Sequence, residues 1–366
     1  MPVKRRPDYW IVFCAVALTA IGIVMIFSSS AVIAAQKHGD PYFFLKRQGM
    51  WAGVGVIAML VMMTIDYRSL AKLAYPLYFS AAFMLAAVLV PGVGRTVNGA
   101  TRWISVGALS FQPAEFAKLA LLIFFAAVLA RKGEEGKLND LLGTFAPLMA
   151  SLGFFFMLIQ LQPDLGTAIT LSFIILLMFL AAGTRLSYII GAALMIAPVL
   201  AIAMLTVNYR RRRLLTFLDP WEDYSDSGYQ IIQSFVALSN GGTWGVGLGE
   251  SQQKLFFLPE PHTDFIFAII CEELGFVGAM GVLILFAVLV WRGFGAGLKA
   301  PERFGGLVAL GITFAIATQT MINVSVALGM LPTKGIPLPF ISLGGSSLVM
   351  WLAATGLLAN VSEHTT

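Results

Sequence analysis

Ten apolar stretches, each long enough to cross a bilayer and separated by short polar breaks, leave this chain few architectures other than a bundle of membrane helices. They fall at residues 10–34, 48–65, 70–90, 114–131, 144–161, 165–182, 187–207, 263–291, 305–328 and 344–361. Hydrocarbon offers the backbone no water to bond, so such spans satisfy their own N–H and C=O groups as helices. Composition agrees, since 58% of the 366 residues are hydrophobic and 12% charged, far from the balance of a soluble domain. The expected fold is all-α. It is a polytopic integral membrane protein forming one membrane domain over residues 1–366, with large structured loops outside the membrane, the longest over 208–262. The start, MPVKRRPDYW, is basic like a signal peptide, but the apolar run after it has no small-residue exit into polar sequence and reads as a first span that stays. Cys14 and Cys271 both lie inside apolar runs, so no disulfide framework is implied. Basic residues spread around membrane loops, with no soluble basic module, argue against nucleic-acid binding.

An even number of spans puts both termini on one side. Counting the 24 Lys and Arg does not choose that side, because they divide evenly between the two faces. Their positions do choose it. Lys4, Arg5 and Arg6 flank the first span, and Arg131, Lys132, Lys137, Arg292, Lys299 and Arg303 lie in short loops on the same face, which is expected to be cytoplasmic. The outer face then carries Lys37, Lys46, Arg47, Arg95, Arg102, Lys118, Arg210 to Arg213, Lys254 and Lys334. Positive charge there runs against the usual bias and suggests an anionic ligand; contact with phospholipid headgroups is the alternative, for Arg210 to Arg213 above all.

The stretch LPEPHTDFIFAIICEELG, from Leu258 to Gly275, carries an acid into the start of a long apolar run. Pro259 and Pro261 stiffen the approach, and a helix is expected from about Thr263. Asp264 would then sit half desolvated at the membrane surface, just after Glu260 and His262. A carboxylate so placed costs free energy and usually has a task, the plain alternative being a helix cap or first-turn acid. Glu115 and Lys118, three apart in a helix opened by Pro113, share a face and could pair. Asp164, beside Gln162 and Pro163, could cap the next helix. Glu272 and Glu273 lie deeper in the Asp264 helix and must face the bundle, either paired with a base or protonated. The run Gly241 to Gly249 lacks the strand-to-helix setting and the Lys-Ser/Thr ending of a phosphate loop, and reads as tight turning in a compact loop. Leu331 to Phe340 is too proline-rich for a regular helix. Irregular backbone at membrane depth is tolerated when it is buried in protein or lines a cavity, and Lys334 would project from it or snorkel to the interface. One acid and several cations on a face suit a reaction on a lipid-linked pyrophosphate, with the cations holding the diphosphate and the acid deprotonating an attacking hydroxyl.

HTDFIFAIICEELGFVG, NGATRWISVGALSFQPAEFAKLA, QPDLGTA and PLPFISLGGSS occur in the order, and over the length, in which they resemble the SEDS family of bacterial cell-wall polymerases, which includes FtsW, RodA and SpoVE. Pro220-Trp221-Glu222-Asp223 is closer to the FtsW and SpoVE branch. The resemblance implies a peptidoglycan glycosyltransferase with ten spans in the cytoplasmic membrane. It would polymerise lipid II into β-1,4-linked glycan at the outer surface, for division or spore cell-wall synthesis, beside a class B penicillin-binding protein and other divisome or spore-cortex proteins. It places the essential aspartate on Asp264 and the charged positions around the cavity on Arg47, Arg102, Glu115, Lys118, Asp164 and Lys334. Leu343 departs from the Tyr that commonly precedes Gly-Gly-Ser-Ser, which puts a ring contact there in doubt. The mechanism expected is an inverting transfer with Asp264 as general base. A divalent cation, Mg or Mn, could share the diphosphate; the sequence has no dedicated cage, and metal stays open. Two other readings stay open too. A lipid II flippase would need polar groups continuing towards the cytoplasmic half, whereas those here cluster at the outer end apart from Glu272 and Glu273. A non-catalytic scaffold for a transpeptidase would need a partner-facing helix and no Asp264, and small-residue patches such as Gly49 to Gly53 would serve packing of either kind.

Overall fold

The computed structural model describes residues 6–97, 99–106, 109–222, 228–255, 257–259 and 261–365; Lys4, Arg5, Asp223 and Glu260, singled out above, lie outside them. Helices α1 (Tyr9–His38) and α2 (Phe43–Thr64) form a first hairpin, and α3 (Tyr67–Val88) leads into three short strands, β1 (Gly94–Val97), β2 (Ala100–Val106) and β3 (Leu109–Phe111). Next come α4 (Pro113–Glu134), α5 (Ala146–Gln160, entered through a π-helical turn at Leu141–Phe145), α6 (Leu165–Ala182) and α7 (Leu186–Leu205). Two shorter helices, α8 (Asn208–Leu218) and α9 (Tyr229–Gly241), occupy the long connection to α10 (Ile266–Leu298), which is followed by α11 (Arg303–Ala327) and α12 (Gly345–Ser362).

Among the described residues nine helices are long and apolar enough to span a membrane, all of these except α2, α8 and α9. Helix α2 is diluted by Lys46, Arg47 and Gln48 in its first turns, and its 22 residues reach roughly 33 Å at the usual rise, the length of a tenth span. The chain is therefore a multi-pass membrane protein. Its centre is α4, α11 and α12, buried along most of their length. Helix α7 is the opposite case: Leu186, Ile190, Leu194, Met195, Ile202 and Leu205 are exposed. An all-apolar helix with so little protein around it is one that lipid solvates.

Two departures from the expected outline matter for function. The structured stretch after α3 is an antiparallel sheet in the order β1-β2-β3, an exception to the all-α expectation. Its β-branched residues suit a pleated surface, and Thr96 and Thr101 bond across the strands at 2.8 Å. The second departure is that α10 begins at Ile266, later than Thr263, and is broken at Gly275, whose φ of 66° no helix residue adopts. The glycine-rich run after α9 lies across the break. Val246 N–H donates to Glu272 O (2.9 Å), Gly247 N–H to Glu273 O (3.1 Å), Phe276 N–H to Gly242 O (2.9 Å) and Val277 N–H to Thr243 O (3.1 Å). A side chain on Gly245 or Gly275 would run into the opposing backbone. The run makes tight turns as expected, and it also replaces the helix bonds lost at the break.

The buried pair below that break is satisfied in two ways. Glu273 takes Lys254 Nζ at 2.9 Å and Ser28 Oγ at 2.7 Å. Glu272 accepts from Ser251 Oγ, from Gln252 N–H (3.3 Å) and from Asn240 Nδ2 (3.4 Å). At the far end of the bundle Asp8 caps α1, pairs with Arg292 at 2.5 Å and receives a bond to its carboxylate from Trp10 N–H, while its own N–H reaches Ser362 Oγ at 3.0 Å. Both chain ends thus meet at the end of the bundle opposite the sheet.

Candidate active site

At the end with the sheet, a cavity of about 440 Å3 opens between β2, the α5–α6 turn, α8, the turn before α10 and the segment that joins α11 to α12. Arg102, Asp164, Arg213, Asp264, Lys334 and Gly335 line it.

Asp264 lies in the turn that precedes α10. Phe265 is the N-cap and the first turn of α10 holds no acid, so the plain capping alternative is not the arrangement found. The turn is held through its backbone. Asn323 of α11 donates from Nδ2 to Asp264 O (3.0 Å) and to Ile336 O (2.8 Å), Ser342 Oγ donates to Thr263 O (2.6 Å), and Leu343 N–H donates to His262 O (2.9 Å). Ser342 Oγ in turn accepts from Leu338 N–H at 2.8 Å. Two irregular segments are thereby tied to each other and to a central helix, the arrangement in which irregular backbone at membrane depth is tolerated. The Asp264 carboxylate is half-buried. Gly335, at φ 58°, passes beside it: a Cβ there would stand 3.3 Å from Oδ2, so the backbone takes a form and a proximity that favour glycine.

The cations reach the cavity from three elements. Lys334 comes from the α11–α12 connection. Burial pushes its pKa below the ordinary lysine value, and its ammonium has no partner among the described residues. A desolvated, unpaired ammonium facing a cavity favours an anion. Arg213 of α8 is anchored by a bond to Thr333 O at 3.1 Å. Arg102 of β2 donates to Gln162 O (3.1 Å) and to Pro163 O, and its guanidinium is 3.7 Å from Asp164 Oδ1. Asp164 also caps α6, accepting Thr167 N–H at 3.3 Å, so its capping and cavity-lining readings hold together.

The remaining candidates sit elsewhere. Arg47 of α2 donates to Ser110 Oγ of β3 at 2.6 Å. Glu115 and Lys118 pair with each other at 2.9 Å, nearly buried, with the Lys118 ammonium 5.3 Å from the Trp351 ring centre. They flank a separate hollow of about 20 Å3. Of the outer-face cations, Lys46 is bound to Asp40 at 2.8 Å and Lys254 to Glu273. Neither Asn323 nor Ser342 is marked as a site residue by the sequence, and Arg213, one of the outward cations expected to meet an anionic ligand or phospholipid headgroups, lines the cavity; an amide inside an apolar span is the one signal that points to Asn323. Leu343 packs its side chain on the core and serves the site through its N–H.

Among the described residues no three His, Cys, Asp or Glu side chains converge. The cavity's own carboxylates, Asp164 and Asp264, make a donor set that holds Mg or Mn only when substrate phosphate oxygens complete it.

Comparison with known proteins places the fold. The family model for FtsW/RodA/SpoVE, described as cell cycle protein, matches residues 9–366. A probable peptidoglycan glycosyltransferase FtsW of Geobacter sulfurreducens is 45% identical over 98% of this chain and 96% of that protein. Stage V sporulation protein E of Bacillus subtilis is 45% identical over 99% of this chain and 98% of its own length. Among solved structures, a chain of a peptidoglycan synthase complex that coordinates polymerization and crosslinking superposes with a TM-score of 0.78 at 33% identity, over 97% of both chains. Rod shape determining protein RodA of Thermus thermophilus superposes at 0.72 and 31% identity, over 97% of this chain and 96% of that one. With a match over nearly its whole length and the same bundle, this chain belongs to the FtsW/RodA/SpoVE family of polytopic membrane proteins.

Proposed function

We propose that the chain is a peptidoglycan glycosyltransferase that polymerises lipid II at the outer face of the cytoplasmic membrane, with Asp264 as its general base. The observation that carries this is one cavity holding half-buried Asp264 beside a Lys334 that is partly desolvated and has no partner among the described residues. Asp264 takes the proton from the sugar 4-hydroxyl of an acceptor lipid II while that oxygen attacks the anomeric carbon of the growing chain. The bond from that carbon to undecaprenyl diphosphate breaks, the diphosphate leaves with the electron pair, and a β-1,4 link forms with inversion. Lys334 and Arg213 hold the diphosphate and offset the charge that grows on it. Arg102, already committed to Asp164 and the α5–α6 turn, shapes the wall. A divalent cation, Mg or Mn, would supply further charge to the diphosphate, held by Asp164 or Asp264 together with phosphate oxygens.

Supporting this orientation is the other end of the bundle, to which Asp8 and Ser362 belong and which carries Arg6, Arg131, Lys132, Lys137, Arg292, Lys299 and Arg303; on the positive-inside bias that end would be cytoplasmic and the cavity would face outward. A class B penicillin-binding protein is the expected partner, in keeping with the synthase complex that this chain resembles. Transport of lipid II is the weaker reading. The deeper acids that could extend a polar path, Glu272 and Glu273, are taken up by Lys254, Ser28, Ser251 and backbone. Polymerisation of lipid II by the purified chain, with and without its transpeptidase, tests the proposal against Asp264→Asn. The substitution keeps size and removes the base, and general-base catalysis is worth roughly 10²–10⁴ in rate. A variant that folds, binds its partner and polymerises like the parent would overturn the mechanism.

A further inference from the structure

A second cavity, of about 540 Å3, lies at the end of the bundle away from Asp264, between the start of α1 and the end of α10. Arg6, Asp8 and Trp10 line one side and Trp291, Arg292 and Lys299 the other. Its charges do not cancel. Asp8 is consumed by Arg292 at 2.5 Å and by the Trp10 N–H at 3.1 Å, so that pair sums to zero. Arg6 and Lys299 are exposed, and their side chains carry no ion pair or hydrogen bond among the described residues. Two positive charges therefore face the cavity without partners among the described residues.

The indoles indicate where the cavity opens. Trp10 is 57% and Trp291 70% exposed, at the points where α1 and α10 leave the apolar part of the bundle. Aromatic rings so placed sit at the headgroup level of a bilayer. Below Trp10 the exposed surface stays apolar through Phe13, whose ring meets the indole edge-on at 5.8 Å, and Val16. A soluble anion would use the charges alone. An amphiphile would use both the charges and this flank.

We infer that this cavity is a binding site for the headgroup of an anionic phospholipid, with its phosphate between Arg6 and Lys299, the Trp10 and Trp291 rings at its glycerol, and an acyl chain along Phe13 and Val16. The site is separate from the polymerase cavity and does not depend on what that cavity does.

Titration of the full chain in detergent with phosphatidylglycerol, phosphatidylcholine or inorganic phosphate, read by native mass spectrometry, tests it. Phosphatidylglycerol should be retained in preference to phosphatidylcholine, and millimolar inorganic phosphate should not displace it. In Arg6→Gln/Lys299→Gln its apparent affinity should fall roughly thirtyfold, five- to sixfold for each charge removed near a membrane surface. Trp291→Ala should weaken retention with no change of charge, and Lys334→Gln, at the opposite end, should leave it in place. The two replaced side chains are unpaired, so the double variant should melt with the parent in phosphatidylcholine nanodiscs. Retention equal to the parent in the double variant, or equal for both lipids, overturns the site. Displacement by inorganic phosphate overturns the lipid assignment in favour of a soluble anion.

Discussion

Asn323→Ala tests whether Asp264, the proposed base, has to be held in place to work. The amide is buried, and its Nδ2 donates to Asp264 O at 3.0 Å and Ile336 O at 2.8 Å, so it fixes both the turn carrying the acid and the segment carrying Lys334. Each neutral hydrogen bond contributes about 1 kcal/mol net, and leaving buried acceptors unmet brings the expected loss to about 2–4 kcal/mol. That loss is modest for a ten-span bundle and large for two short irregular segments. Displacing a reacting group by as little as about 1 Å costs on the order of 10² in rate. The turnover of lipid II should therefore fall tenfold to a hundredfold by that same reasoning, roughly, with KM changing much less. The assay is strand formation against lipid II concentration, with melting measured in the same detergent. Asn323→Asp, which keeps the volume and lacks both donors, should do at least as much damage, which distinguishes lost bonds from a cavity. A variant with lowered melting temperature and parental kcat would refute the reasoning, because the amide would then stabilise the bundle without placing the base.

Two further outcomes follow from charge. Because burial lowers the Lys334 pKa, its cation is fully present at low pH and lost as pH rises through a value below the ordinary 10.5, so KM for the lipid-linked substrate should climb earlier than a normal lysine would allow. Lys334→Arg, whose guanidinium does not titrate in this range, should remove that climb; identical profiles for the two proteins would assign it to another group. Lys254→Met strands a buried carboxylate and should cost about 3–5 kcal/mol in unfolding, while Lys254→Met with Glu273→Gln should recover most of it. Equal losses in the single and double variants would mean that the pair is not coupled.

How far the sequence carried the structure depends on whether side chains or backbone did the work. Apolar run length located the nine described helices long and apolar enough to span, and α2 beside them, because hydrocarbon leaves a chain no other way to satisfy its backbone, and the acid at the start of one run drew attention to Asp264 for the same reason. Asp164 was legible as a cap because its carboxylate bonds a helix N–H close by in sequence. Glu115 and Lys118 were legible as a pair because helix periodicity brings positions three apart together. What could not be read was long-range and carried by the main chain. Asn323 and Ser342 bond carbonyls 59 and 79 residues away, and nothing in their own neighbourhood marks those targets. The break in α10 is the fullest case. A helix interrupted at Gly275 loses backbone bonds at membrane depth, where each unsatisfied group costs several kcal/mol. The carbonyls of Glu272 and Glu273 and the N–H groups of Phe276 and Val277 instead find partners in the Gly242 to Gly247 backbone, and that approach is close enough to exclude side chains at Gly245 and Gly275. The same connection, 242–262, then carries Lys254 to Glu273 and leads into the His262 to Asp264 turn. So the glycine run that resembles a phosphate loop and is not one still bears on the candidate site: it fixes the far end of the loop that delivers Asp264, by stitching that loop onto the helix that Asp264 precedes.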